Sequence, residues 1–233
     1  KSFEAVGGQA LRAFLKVAMQ NGVKVSDPEL AGRAVARMAA ALEAKARRTH
    51  YSNQAETVVR EGLEAVGVRV PEKVFDQAMA AYYEVISAAV EPVEADTAEV
   101  LRRLSDQGRV LGVVSNTLWA PEVHDADLAR FGLLDYLPVR VYSSRAGYVK
   151  PDERVFRQAL DRFDVAPAEA VFVGDKIAVD VVGPQKIGMR AILVKCPWRE
   201  EESDQATPDA VIDSLDDLPA LLDAWDKAIE TQA

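Results

Sequence analysis

The first ninety residues place apolar side chains at helical spacing and lack the alternation that is typical of strands. Val6, Ala10, Phe14 and Val17 recur about every three to four residues, which predicts an amphipathic helix over residues 2–20. Asp27 and Pro28 form a helix-start signal for the next helix. The spacing predicts three further helices, over 26–48, 54–66 and 71–90. We therefore expect residues 1–91 to form an all-helical domain.

After residue 92 the pattern changes to short apolar runs that alternate with amphipathic stretches. Such alternation predicts an α/β domain with a doubly wound parallel sheet, and we assign residues 92–233 to it. The predicted strands are 109–114, 139–142, 170–174, 190–194 and 210–212. The predicted helices are 96–107, 121–131, 152–163, 178–187 and 215–229.

Composition narrows the possible partners. The 233 residues carry a net charge of −9, from 28 basic and 37 acidic side chains, which argues against nucleic acid as the main partner. No apolar run approaches the ~20 residues of a membrane span, so we expect no membrane partner. The single cysteine, Cys196, cannot form an internal disulfide, which suits a reducing cytoplasm. With two histidines and one cysteine, a structural zinc site is not expected.

The stretch 171–180 carries the clearest chemistry of the chain. A strand-like run ends at Gly174, and Asp175 and Asp180 follow five residues apart. In open α/β sheets, carboxylates at the carboxyl end of a strand are placed to bind a metal or to face a phosphate. The alternative is a turn in which Asp180 only caps the following helix.

Two other segments place polar groups at the ends of predicted elements. The run 110–114 ends in Ser115, Asn116 and Thr117, whose side chains can donate hydrogen bonds to phosphate oxygens. Lys150 precedes Pro151 at the start of a predicted helix, which favours an extended backbone at the lysine. The alternatives are a plain turn serine at Ser115 and an ordinary ion-paired lysine at Lys150.

The order and spacing of Ser115, Lys150 and Asp175 resemble motifs II, III and IV of the haloacid dehalogenase-like hydrolase superfamily. The resemblance covers residues 92–222 in detail, and residues 1–91 resemble the helical cap of that family. It implies a Rossmann-like core, Mg²⁺ as cofactor, and a phosphatase that acts on a small phosphorylated metabolite through an aspartyl-phosphate.

The resemblance also implies the roles of the site residues. Asp175 would bind the metal directly, and Asp180 would be a second or alternate metal ligand. Lys150 would offset negative charge, and Ser115, Asn116 and Thr117 would bind the substrate at the phosphate end. We expect a monomer or a homodimer.

The first motif of the family has no counterpart in the sequence. That motif is a strand ending in the aspartate nucleophile, whereas this chain runs from Lys1 directly into a helical pattern. Asp96, Asp125 and Asp127 do not follow apolar strands. In the family the strand lies between those carrying motifs II and IV, so we expect the sequence to begin after it. No nucleophile is assigned.

Two other functions stay open. The family position after Asp175 is commonly a small hydroxyl residue but is Lys176 here, and Val179 and Gly183-Pro184 also depart from the usual motif. These departures favour a catalytically inactive binding protein. A metal-free 2-haloacid dehalogenase is the second alternative, although the Gly-Asp-x-x-x-x-Asp pattern favours the phosphatase.

Substrate choice is expected to depend on the helical domain. Its polar and aromatic candidates are equally compatible with surface or packing roles, and they are Arg47, Arg48, His50, Tyr51 and Tyr83. Trp119, which closely follows Ser115, is the stronger candidate for a substrate contact.

Overall fold

The computed structural model describes residues 3–92, 94, 96–196 and 206–232. The chain divides into two compact units. The helical unit contains the residues up to Glu91 together with Thr117–Asp127, and the sheet unit contains Pro92–Asn116 and the residues from Leu128 onward. The segment 117–127 thus joins the helical unit, although the predicted boundary places it in the second domain. Its Leu118 and Trp119 pack against apolar side chains of the helices.

The helical unit contains four main helices, with α1 packed on α4 and α2 packed on α3. They are α1 (Phe3–Gln20), α2 (Pro28–Thr49), α3 (Ala55–Glu64) and α4 (Glu72–Ser87). Phe14 and Phe75 are fully buried and meet edge to face, with ring centroids 5.2 Å apart. This aromatic pair joins α1 to α4 in the core of the unit.

Local signals in the sequence set the ends of α2. The Asp27 carboxylate accepts a hydrogen bond of 2.9 Å from the Leu30 backbone N–H, and Pro28 occupies the first turn. The helix ends at His50, whose φ of 57° is left-handed. Within the described helices, none combines the length and hydropathy needed to cross a bilayer.

The sheet unit alternates helices and strands, which confirms the predicted α/β class. Its helices are α5 (Thr97–Asp106), α6 (Pro121–Arg130, whose first turns belong to the helical unit), α7 (Ser143–Ala146), α8 (Glu153–Phe163), α9 (Val182–Lys186) and α10 (Leu218–Gln232). Its strands are β1 (Gly112–Ser115), β2 (Val139–Tyr142), β3 (Val171–Gly174), β4 (Arg190–Val194) and β5 (Ala210–Ile212).

All strand pairs in the described residues are parallel, but they form two separate groups. β1 pairs with β2, and β3, β4 and β5 pair in that order. β4 lies between two neighbours, and its Ala191 and Ile192 are fully buried. β1 and β3 each have one edge without a strand partner among the described residues. These are the strands expected to flank the family's first motif.

Most predicted elements agree with the observed ones to within three residues at each end, and two of the differences have a clear physical reason. β1 begins at Gly112 and not at residue 109, because Val110 is 71% exposed and does not pack as a strand residue. The predicted helix 178–187 begins late, since Ile177–Val181 forms a π-helical turn before α9. Pro184 lies in the first turn of α9, where its missing N–H is tolerated. The short α7 was not predicted.

Two helical glycines of the helical unit provide a matched test of the packing. A Cβ at Gly62 would lie 2.6 Å from the Val35 Cα atom, whereas a Cβ at Gly32 would meet nothing within 4 Å. We expect Gly62→Ala to lower the free energy of unfolding by about 1–3 kcal/mol through overpacking between α3 and α2. Gly32→Ala should raise it by about 0.5–1 kcal/mol because alanine restricts the unfolded chain.

Urea unfolding of both variants measures the difference. If Gly62→Ala is as stable as Gly32→Ala, the close approach of α2 and α3 described above is incorrect.

Candidate functional site

The predicted phosphate and metal residues lie at the carboxyl ends of β1 and β3 and at the start of α8. Ser115 is the last residue of β1, and Asp175 directly follows β3. Lys150 comes three residues before α8. Parallel strands present their carboxyl ends at one edge, and this is where open α/β folds bind ligands.

The side-chain amide of Asn116 forms two hydrogen bonds with the backbone of Lys150. Its Nδ2 donates to the Lys150 carbonyl oxygen at 3.0 Å, and its Oδ1 accepts from the Lys150 backbone N–H at 2.7 Å. The amide therefore pairs with the lysine as a neighbouring strand would. With these two hydrogen bonds, Asn116 positions Lys150.

The Lys150 ammonium forms an ion pair with Asp180. Nζ lies 2.7 Å from Asp180 Oδ1, and the two side chains are only 12% and 4% exposed. Nζ also lies 5.0 Å from the ring centroid of Phe172 on β3. Within the described residues no other donor reaches Oδ1, so the Lys150 ammonium is what compensates this buried oxygen.

The second oxygen of Asp180 closes the turn that follows β3. Oδ2 accepts hydrogen bonds from the backbone N–H groups of Asp175 and Lys176, at 3.2 Å and 3.1 Å. A Cβ at Gly174 would lie 2.5 Å from the Asp180 side chain, so only glycine leaves room for this carboxylate. Both oxygens of Asp180 are thus committed to the turn and to Lys150.

The structure separates the two carboxylates predicted to bind metal. Asp180 is 3% exposed and turned toward Lys150, whereas Asp175 is only half-buried at the strand end. Among the described residues, no group of three His, Cys, Asp or Glu side chains is arranged to hold a metal ion. Asp175 is therefore the better candidate for a direct ligand from this chain.

Thr117 is predicted to bind substrate beside Ser115, but its hydroxyl is engaged within the helical unit. Oγ1 lies 2.7 Å from His124 Nε2 and accepts the Trp119 backbone N–H at 3.0 Å. The His124 ring stacks on the Trp119 indole, with centroids 5.5 Å apart.

Burial lowers the pKa of His124, and the negative charges of Asp127 and Asp125 act in the opposite direction. A neutral imidazole can accept a hydrogen bond from the Thr117 hydroxyl at Nε2.

Nothing in the sequence indicates the role of His124, because only the fold brings it to Thr117 and Trp119. Tyr83, a predicted substrate residue, donates a 2.7 Å hydrogen bond to Glu56 and accepts one from the Ala120 N–H. Burial and Glu56 raise the pKa of Tyr83. Its hydroxyl thus joins α3 to the segment that contains Trp119.

The remaining candidates of the helical unit lie at the end of α2. Arg47 forms an exposed ion pair with Glu43, and Arg48 is exposed. His50 caps the helix, and Tyr51 is 53% exposed. A substrate role for these four residues stays a prediction.

A family model and individual relatives of known name match this chain. Residues 33–194 match the model of the haloacid dehalogenase-like hydrolase family. A phosphoserine phosphatase from Thermus thermophilus is 36% identical over 161 residues, which are 69% of this chain and 61% of that protein. A glyceraldehyde 3-phosphate phosphatase from Methanothermobacter thermautotrophicus is 32% identical over 62% of this chain and 64% of its own length. The chain thus spans less than two thirds of either relative.

Solved structures support the same fold. A 2-haloacid dehalogenase from Pseudomonas syringae pv. Tomato DC3000 is 27% identical, has a TM-score of 0.69, and is matched over 96% of this chain and 93% of its own. A haloacid dehalogenase-type phosphatase from Thermococcus onnurineus has a TM-score of 0.60 at 22% identity, over 94% and 91% of the two chains. The core is Rossmann-like and is accompanied by a helical cap.

The buried ion pair leads to a stability prediction. Asp180→Asn and Lys150→Met should each lower the free energy of unfolding by about 3–5 kcal/mol, because each leaves an uncompensated buried charge. The double variant should lose less than the sum of the two single variants. Urea unfolding of the four proteins gives the coupling energy.

Glu43→Gln and Arg47→Met, which remove an exposed pair, are the matched controls and should leave stability almost unchanged. Additive effects of Asp180→Asn and Lys150→Met would show that the 2.7 Å contact does not couple the two side chains.

His124 leads to a prediction of pH dependence. The pKa of a histidine in an unfolded chain is about 6.5, and burial lowers the pKa of His124 in the folded protein. Below that pH the unfolded state binds more protons, so the free energy of unfolding should fall as the pH falls toward the folded-state pKa. His124→Gln should reduce this loss, measured as urea midpoints at about pH 7.5 and 5.5.

His50→Asn removes the other histidine and serves as the control. An unchanged pH dependence in His124→Gln would contradict the assignment of the effect to this buried ring.

Proposed function

The chain belongs to the haloacid dehalogenase-like hydrolase family, and on this premise we propose that it hydrolyses phosphoric monoesters of small metabolites with Mg²⁺. The observation that carries the proposal is the buried Lys150–Asp180 pair, which Asn116 and the β3 turn hold at the carboxyl ends of the strands. A lysine fixed in this way suits the binding of a phosphoryl group, whose oxygens carry negative charge throughout its transfer.

Each residue of the site has a distinct role in this proposal. The Lys150 ammonium offsets charge on the phosphoryl oxygens, and the Ser115 hydroxyl donates a hydrogen bond to one of them. Asn116 positions Lys150 by pairing with its backbone. Asp180 orients the ammonium and holds the turn that presents Asp175. The attacking nucleophile is not assigned to a residue.

Of the two predicted metal ligands, Asp175 is the better candidate for Mg²⁺. Asp180 already uses Oδ1 on Lys150 and Oδ2 on two backbone N–H groups, so we assign it a positioning role. Asp175 would hold the ion. Mg²⁺ commonly takes one or two carboxylates and completes its coordination shell with water and substrate phosphate, so one carboxylate from this part of the chain is compatible. When bound, Mg²⁺ would neutralise charge on the phosphoryl oxygens.

The names of the relatives support the substrate class. They include a phosphoserine phosphatase, a glyceraldehyde 3-phosphate phosphatase and a ribulose-1,5-bisphosphate 5-phosphatase, the last 32% identical over 55% of this chain. These proteins are named for different small phosphorylated metabolites. We therefore propose this class for the chain without choosing one member. The single cysteine supports a cytoplasmic location.

One observation favours a second candidate function. The 2-haloacid dehalogenase of Pseudomonas syringae matches nearly the whole chain at 27% identity. A carbon–halogen hydrolase would use the same strand ends but would not need a metal ligand at Asp175. The position of Asp175 directly after β3 is the reason for ranking the phosphatase first.

The test is hydrolysis of p-nitrophenyl phosphate, with Mg²⁺ and with EDTA, by the protein as it is naturally expressed. We expect turnover that requires Mg²⁺ and falls by about 100-fold or more in Asp175→Asn. Asn116→Ala should lower the rate by about tenfold or more, since the lysine loses the hydrogen bonds that orient it. Asp216→Asn, which removes an exposed carboxylate paired with Arg103, is the control and should match wild type.

Release of chloride from 2-chloropropionate without phosphatase activity would replace the proposal with the dehalogenase. If the naturally expressed protein hydrolyses neither substrate, the inactive binding protein becomes the preferred function.

A further inference from the structure

The helical unit contains a cavity that the proposed hydrolysis does not use. Its volume is about 1030 Å³, which is close to the upper range of sites for small organic ligands. α1 and α2 form two walls, and Val58 and Val59 of α3, Tyr82 of α4 and the segment containing Trp119 complete the lining. Every lining residue belongs to the helical unit.

Several small residues lie along the facing sides of α1 and α2, among larger ones such as Leu11 and Leu15 of α1. Gly8 of α1 and Gly32, Ala36 and Ala39 of α2 all line the cavity. Small residues allow two helices to approach closely, yet α1 packs mainly on α4 and α2 mainly on α3. A Cβ at Gly32 would meet nothing within 4 Å. The space beside Gly32 is therefore open to a ligand.

One part of the lining is an aromatic surface in a fixed orientation. The Trp119 indole stacks on His124, and its backbone N–H is held by the Thr117 hydroxyl. Thr117 in turn contacts His124 Nε2 at 2.7 Å. An aromatic ring restrained by its neighbours loses little entropy when it packs against a ligand. This surface suits a flat apolar group.

Two polar groups of the lining lack partners among the described residues, and both can donate to an anion. Arg12 forms no ion pair there, and the Tyr82 hydroxyl forms no hydrogen bond there. Burial raises the pKa of Tyr82, so its hydroxyl keeps its proton. The other charged lining residues are paired within α2, Arg33 with Glu29 and Glu43 with Arg47. The charged lining residues are thus two arginines and two glutamates, and the one without an ion pair among the described residues is the exposed Arg12.

We propose that this cavity binds a small amphipathic anion. The apolar body of the ligand lies between α1 and α2 against Trp119, and its carboxylate, sulfonate or phosphate group pairs with Arg12. The Tyr82 hydroxyl is available as a second donor. None of Ser115, Lys150 or Asp175 lines the cavity, whereas Trp119, a predicted substrate contact, does, so the inference does not depend on the phosphate-binding residues.

The experiment uses 8-anilinonaphthalene-1-sulfonate, which combines an aromatic body with an anionic group. Titration of the wild-type chain should give saturable fluorescence enhancement. Gly32→Phe directs a large side chain into the space beside Gly32, where a Cβ meets nothing within 4 Å, and should weaken binding about tenfold or more. Arg12→Gln should weaken it several-fold, whereas Arg33→Gln, which removes an arginine already paired with Glu29, should bind as wild type does.

Far-UV and near-UV circular dichroism confirm that each variant is folded, so that binding by loosened protein is recognised. Three results would overturn the proposal. They are no saturable binding by wild type, equal binding by Gly32→Phe, and equal effects of the two arginine variants. A wild-type dimer that Gly32→Phe converts to a monomer would instead assign the cavity to a second copy of the chain.

Discussion

The buried ion pair between Lys150 and Asp180 is the constraint on which the candidate site depends. Both side chains have lost nearly all of their solvent, so each charge relies on the other for compensation. Asn116 adds a second link, because its amide pairs with the backbone of the same lysine. Through Lys150 the end of β1 is connected to the turn after β3, although the two strands belong to different groups of the sheet.

Forming this pair constrains the local backbone. Asp180 reaches Lys150 and the two backbone N–H groups only because Gly174 has no side chain and the chain makes a π-helical turn over Ile177–Val181. The regular helix begins afterwards, at Val182. Departures from regular helical geometry of this kind are common at functional sites. The late start of α9 is thus explained by the position of the carboxylate.

Much of the fold could be predicted from the sequence because its signals are local. Helical spacing and capping at Asp27 predict α1 and α2, and short apolar runs between amphipathic stretches predict all five strands. The contacts of the site are not local. Asn116 and Lys150 are 34 residues apart, and nothing in either segment indicates that the amide pairs with the lysine backbone. For the same reason, the sequence suggested Thr117 as a phosphate residue, while the fold engages it with His124.

A crystal structure of the full chain with Mg²⁺ and inorganic phosphate tests the account of the site most directly. The account predicts phosphate oxygens within hydrogen-bond distance of the Ser115 hydroxyl and the Lys150 ammonium, with Mg²⁺ on the Asp175 carboxylate. It also predicts that Asp180 stays paired with Lys150. Phosphate bound without contact to Lys150, or Asp180 released from the lysine to bind the metal, would contradict it.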